Sequence, residues 1–386
     1  MTWGMLLVAG VVLVAALILT PAMRRLALRR GWYDLPADRR VHTTPTPRIG
    51  GVAMYLAFMI GLALTLVPGV TPERLEPPFG PPELWRIGLL ALGATIITAV
   101  MFIDDIRGIK PIPKLLWQLL VAALVMLPDP RYLDLAPGAV NGVPNGWFTG
   151  VIVSFLQNPF GSHDSLQIQL FQFAPLAVAF TFFWIVGMMN AVNWMDGLDG
   201  LAGGVSAIAC LVLFGVSLLQ DPPQTTIAFL PLILAAAILG FLRYNFHPAQ
   251  IFMGDSGSMF LGFALAVISI IGGAKVATAL LVMGVPILDV AYVILFRVLR
   301  GRSPMQADRG HLHHRLYDLG MGQSQIALLF YFVCGGFGAL ALLPPGNGLI
   351  KLGALVVMAV LLIAFILFIT RRQFDRAQRT DPDLQS

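Results

Sequence analysis

The stretch Asn190-Ala-Val-Asn-Trp-Met-Asp-Gly-Leu-Asp-Gly200 places two amides and two carboxylates between two apolar runs, Phe180 to Met189 and Leu201 to Leu219. Asn190, Asn193, Asp196 and Asp199 follow one another every third residue. On a helix, neighbours at that spacing share a face and can converge on one ligand. Gly197 and Gly200 leave room for a close approach or an unwound turn. The stretch contains no basic residue. Carboxylates where a membrane helix meets water therefore call for a cation or a ligand as counter-charge. A plain capped helix end would need one Asp and not this series.

Four further clusters carry chemistry. Asp104-Asp105 is followed by Arg107, Lys110 and Lys114; adjacent acids repel, which suits a metal-phosphate or proton-acceptor site, the alternative being acids balanced by nearby bases. Asp255 lies between Gly254 and Gly257, with Ser256 and Ser258 beside it, just before an apolar run. Amides at a helix start favour phosphate, and an Asp there can hold Mg²⁺ that bridges phosphates; otherwise Asp255 is an N-cap. The spacing of a Walker lysine is missing. Asp289, after Pro286, interrupts an apolar run about eight residues from its basic end, roughly 12 Å along a helix. Such a residue faces a wet cavity or a partner, an Arg included. The loop Arg300 to Arg315 holds three of the six histidines. As a helix it would put His311, His314 and Arg315 on one face and His313 elsewhere. A zinc site would want further ligands. With Arg309 and Arg315 the group reads as anion-binding, or as a loop facing lipid headgroups. The basic, Pro-rich segment Arg39 to Gly51 points only to an anionic lipid or ligand.

The composition says what must position these residues. The 386-residue chain is 57% hydrophobic and 12% charged, which is a polytopic membrane protein and not a soluble domain. Its net charge of +5 sits in loops beside apolar runs and does not point to nucleic acid. Cys210 and Cys334 lie far apart inside apolar runs, so neither a disulfide framework nor a cysteine metal site is expected. No basic segment precedes the first apolar run and no small-residue cleavage site follows it, so it reads as a span. Eleven segments approach the ~20 residues that cross ~30 Å of hydrocarbon. They run roughly 3–20, 51–68, 86–103, 115–127, 174–190, 201–219, 227–242, 257–273, 276–296, 325–343 and 350–370. The expectation is one all-α membrane domain over 1–370 and a polar cytoplasmic tail over 371–386.

With the N-terminus outside, the inward loops hold seven basic residues between 24 and 48, three between 107 and 114, and Arg243. Five more lie between 297 and 315 and four in the tail, so 20 of the 25 face inward. That asymmetry puts the C-terminus in the cytoplasm. Every cluster named above then falls on the inward side. In the outward loop 128–173, the runs Phe148–Phe155 and Leu166–Phe171 could pair as a small β-hairpin or lie at the membrane interface.

Asp104-Asp105, Asn190-x-x-Asn193-x-x-Asp196-Gly-Leu-Asp-Gly200, Phe252-Met-Gly-Asp255-Ser-Gly257, Pro286-Ile-Leu-Asp289 and His311-Leu-His-His314 occur in one order between about residues 40 and 315. In this the chain resembles the polyprenyl-phosphate N-acetylhexosamine-1-phosphate transferases, glycosyltransferase family 4. The resemblance implies transfer of a sugar 1-phosphate from a UDP-sugar to a polyprenyl phosphate, releasing UMP and requiring Mg²⁺, with Mn²⁺ as an alternative. It implies Asp255 as the metal ligand. Asp104 and Asp105 would position the lipid phosphate, with Asp104 the better proton acceptor. Asn193 and Asp196, with Asn190 near them, would line the nucleotide and metal pocket. Gly197, Leu198 and Asp199 would lie along the uracil, with Phe252 stacked on it. His311, His313 and His314 would hold the diphosphate or the sugar, beside Arg309 and Arg315.

Two branches fit this pattern. One starts surface glycans from UDP-N-acetylglucosamine and undecaprenyl phosphate; the other uses UDP-N-acetylmuramoyl-pentapeptide for peptidoglycan. The eleven spans, the basic tail and Leu312 within the histidine run resemble the first branch. The muramoyl branch usually has ten spans and three consecutive histidines. The implied setting is the inner, cytoplasmic membrane with the active site on the cytoplasmic face, and a homodimer is compatible with it. Two other classes share some features. A secondary transporter would also have intramembrane acids and broken helices, but near the midplane. A scaffold would tolerate loss of Asp104, Asp105 and Asp255.

Overall fold

The computed structural model describes residues 3–34, 45–67, 81–132, 150–153, 174–220, 223–272, 275–299, 301 and 310–343, short strands between 139 and 169, and isolated helical positions between 353 and 368. In chain order the helices are α1 (Trp3–Arg30), α2 (Gly50–Thr65), α3 (Pro81–Arg107), α4 (Pro111–Val125), α5 (Ala174–Met195) and α6 (Leu201–Leu218). They continue with α7 (Thr225–Asn245), α8 (Gly254–Ile271), α9 (Val276–Val282), α10 (Gly284–Leu299), α11 (Leu312–Asp318) and α12 (Gln323–Ala341). Strands β1 (Tyr33–Asp34) and β2 (Thr46–Pro47) pair antiparallel ahead of α2. Between α4 and α5, Phe155–Leu156 pairs antiparallel with Ile168–Gln169, a ladder of two residues on each side.

Among the described residues seven helices are long and apolar enough to cross a membrane. An eighth span results if α9 and α10, bent by 76°, are taken together. Pro286 accounts for the break: it has no N–H and its ring clashes with the carbonyl of Val282, the last residue of α9. Helices α2 and α4 are apolar but shorter. The last of the eleven expected spans, 350–370, lies largely outside the described residues. The chain is a multi-pass membrane protein of mainly helical structure.

Helix α8 is the axis of the bundle. All of it is buried except Asp255, as befits a helix apolar on every side. Helices α5, α3 and α2 pack around it, while α1 lies along α2 and α7, and α6 along α7 and α12. Helices α2 and α8 touch backbone to backbone at Gly51 and Gly257, where a Cβ on Gly51 would overlap the Gly257 backbone. The first amides of α2 donate forward to this crossing: Gly50 N–H to the Phe252 carbonyl and Gly51 N–H to the Met253 carbonyl, both at 2.9 Å. These bonds satisfy donors that a helix start leaves open.

The loops sort onto two ends. Lys114, Asn193, Asp199, His247 and Asp255 are joined by hydrogen bonds at one end. At the other, the Trp85 indole donates to the Leu127 carbonyl and Lys275 to the Gln224 amide oxygen.

Candidate active site

The centre of the site is a lysine between two carboxylates. Lys114, in the first turn of α4, places Nζ 2.5 Å from Asp104 Oδ2 at the end of α3 and 2.7 Å from Asp255 Oδ2 at the start of α8. The other oxygen of Asp255 accepts from the Asn193 amide at 3.2 Å, and that amide also reaches Ser258 Oγ at 2.9 Å. Four helices thus each supply a polar group to one point. Asp104 is buried, whereas the Asp255 and Lys114 side chains keep 20% and 24% of their surface exposed. A water-borne ligand can therefore reach them.

Asp105 does a different job. Its two oxygens accept the backbone N–H groups of Asp255 and Ser256, at 2.8 and 3.0 Å. It caps α8 from α3 and fixes the carboxylate of Asp255 in space. Gly254 makes this possible: its φ is +69°, and a Cβ there would collide with the Arg48 carbonyl and approach the Asp105 carboxylate. Two expectations change. The amides of Asp255 and Ser256 at the α8 start are already taken by Asp105 and are not open to a phosphate. Nor is Asp255 the cap, since its carboxylate turns to Lys114 and Asn193.

Arg48 lies just before α2, bonded to Asp34 at 3.3 Å. Burial pulls its guanidinium down, but the fields of Asp34, Asp105, Asp255 and Asp104 outweigh this, and its pKa is raised. The site thus has a second fixed cation.

The spaced amides and acids of the 190–200 stretch do not converge. Asn193 joins the centre. Asn190 instead donates to the Gln118 amide oxygen at 2.8 Å and to the Val186 carbonyl. Asp196 accepts no hydrogen bond from any described residue. Burial holds its carboxyl well above the usual carboxylate range, with Asp255 and Asp105 adding to the effect and Arg48 opposing it. Asp199 is tied away, 2.7 Å from the Nδ1 of His247 and 3.0 Å from the Ala249 amide. The reason is geometric. A step of three residues falls short of a 3.6-residue turn, and the helix ends at Met195, so the series leaves one face. Leu198 is buried and Gly197 exposed. Phe252 is held through its backbone, its amide donating to Pro47 and its carbonyl accepting from Gly50.

The histidines form a second group. His311 precedes α11 in extended conformation and does not share its face with His314, because the helix begins only at Leu312. Its ring lies nearly parallel to that of His313, with centroids 5.8 Å apart, and 5.9 Å from Trp194 of α5. His313 is buried against Gly197. Burial, with His314 and His311 adjacent, keeps its imidazole well below the ordinary value and so neutral. Asp289 partners His311 and the Leu312 amide, so of the two alternatives it faces a partner, and that partner is not an Arg. Arg315 donates to the Gly310 carbonyl and lies over the Tyr292 ring. Arg309 lies outside the described residues.

The described residues contain no group of three His, Cys, Asp or Glu that would cage a metal. The donor chemistry nevertheless fits Mg²⁺. Asp104 and Asp255 already share one cation, the Lys114 ammonium. Mg²⁺ commonly takes one or two carboxylates and completes its shell with water and substrate phosphates. Gln118 and His247 were not legible as site residues, and the pairing of Ser258 with Asn193 was not either, since Gln118 and Asn190 lie 72 residues apart and Asn193 and Ser258 lie 65 apart.

Sequence comparison places these residues in a known group. Glycosyl transferase family 4 matches the chain over residues 87–273. The chain is 32% identical over 327 residues to a probable undecaprenyl-phosphate N-acetylglucosaminyl 1-phosphate transferase of Bacillus subtilis, covering 83% of this chain and 79% of that one. It is 34% identical to a decaprenyl-phosphate N-acetylglucosaminephosphotransferase of Mycobacterium tuberculosis, over 95% of this chain and 88% of the relative. A phospho-N-acetylmuramoyl-pentapeptide-transferase of Desulforudis audaxviator is 31% identical, over 85% and 94%.

Proposed function

Since the chain belongs to glycosyl transferase family 4 and is a phosphotransferase, we propose that it transfers N-acetylglucosamine 1-phosphate from UDP-N-acetylglucosamine to undecaprenyl phosphate. The products are polyprenyl-diphosphate-N-acetylglucosamine and UMP, and the step starts a surface glycan on the cytoplasmic face of the inner membrane. The observation that carries the reading is the meeting of Asp104, Lys114, Asn193 and Asp255 at one end of a membrane bundle. Carboxylates there suit a cation, and the ammonium suits a phosphate.

In the reaction an oxygen of the lipid phosphate attacks the β-phosphorus of the nucleotide sugar. A new P–O bond forms, the bond to the bridging oxygen breaks, and UMP leaves with the electron pair. Catalysis of such transfers is mainly positioning and charge neutralisation. Lys114 would lie against the phosphoryl oxygens. Asn193 and the cap from Asp105 hold Asp255 in register. Asp104 would take the proton of a lipid phosphate that arrives protonated. Mg²⁺, held by Asp255 with Asp104 beside it, would supply charge neutralisation on the diphosphate.

The test is UMP release by purified protein in detergent with undecaprenyl phosphate and Mg²⁺, comparing UDP-N-acetylglucosamine with UDP-N-acetylmuramoyl-pentapeptide. Release with the first alone supports the reading. Release with the second alone would keep the chemistry and replace the donor.

A further inference from the structure

Asp289 is buried in α10, with 7% of its surface exposed, and takes no part in the Lys114 cluster. Its Oδ2 lies 2.9 Å from Nδ1 of His311, and its Oδ1 accepts the Leu312 amide at 2.8 Å. An ionised carboxylate only accepts, so Nδ1 carries the proton in this contact. Trp194 and His313 lie against the same ring. The ring atom left over is Nε2, which bonds to none of the described residues.

We propose that Asp289 is a positioning residue for the phosphoryl transfer: it holds His311 with Nδ1 protonated, so that Nε2 is the atom offered to the anionic substrate. The inference rests on the transferase reading above. Nε2 is then the ring atom that meets a diphosphate oxygen, while Asp289 holds the ring from behind, the role of the carboxylate behind a working histidine. The same carboxylate fastens the histidine segment to the second arm of the bent span.

The experiment uses full-length protein and two readouts. Asp289→Asn keeps the size of the side chain and a carbonyl for the Leu312 amide, but turns an N–H₂ toward Nδ1. Ring ¹⁵N shifts, assigned by the signals lost in His311→Gln, are expected to show Nδ1 protonated in the wild type and unprotonated in the variant. Turnover is expected to fall on the order of 10–100-fold, as for other partners behind a functional histidine, with KM for the nucleotide sugar changed less. In a His311→Gln background the same substitution is expected to cost less than about twofold, because its route of action is gone. Unchanged ring shifts, or a loss that multiplies undiminished onto His311→Gln, would overturn the proposal and leave Asp289 as a cap of α11. A wild type that releases no UMP from any donor would sink the transferase reading instead, while the ring shifts would still decide the tautomer.

Discussion

Lys114 touches both carboxylates of the centre, so its loss should be felt in chemistry before stability. Lys114→Met is expected to lower UMP release by roughly 10²–10³-fold, the usual cost of removing one preorganised charge from a transfer site. Wild-type turnover in a folded variant would remove Lys114 from the mechanism. Asp196 gives a test of sign. An unfolded Asp titrates near 3.9, while burial holds the folded carboxyl well above that. The folded protein therefore keeps a proton that the unfolded chain releases. Stability from this group is full below about pH 4 and declines as pH rises through the folded value. Asp196→Asn should raise the thermal midpoint at pH 7 and match the wild type near pH 4; a constant offset would place the effect elsewhere. Residue types were readable here: Asp104, Asn193 and Asp255 do meet. Their partners were not, because Lys114 and Asp255 are 141 residues apart, and only the folded bundle brings them together.

Element boundaries were legible wherever an apolar run ended in polar residues, as at Met195 and Gly254. The α2–α8 contact was not. Gly51 and Gly257 open two of the expected spans, and nothing in the sequence marks them as the place where two backbones touch. Gly51→Ala should wedge the helices apart and cost about 1–3 kcal/mol, as overpacking does elsewhere. Asp255 is two residues from the contact, so turnover should drop with stability, measured as thermal unfolding and UMP release on the same sample. A stable but inactive variant would mean that α8 shifts without loosening. Nothing in Gly310-His-Leu-His-His marks a helix start at Leu312, which separates His311 from the face of His314; the cap comes from Asp289, over twenty residues earlier.

At the scale of the whole molecule, the basic residues predict which loops share the cytoplasmic side, and cysteine accessibility tests it. Cys210 and Cys334 are fully buried, so they should stay silent toward a membrane-impermeant maleimide in intact cells. Against that background Thr225→Cys should label from outside and Arg107→Cys only after permeabilisation, since both positions are exposed at opposite ends. The reverse pattern would invert the orientation. Helices α2 and α4, at 16 and 15 residues, reach only about 24 and 22 Å, short of the ~30 Å hydrocarbon layer. Both begin at the polar cluster. The bilayer must thin there, or the cluster must sink below the headgroup plane. Under the proposed transfer, a lipid phosphate would then meet Lys114 without leaving its own leaflet. Turnover in nanodiscs should then peak in short-chain lipids and decline as acyl length grows, at constant surface charge.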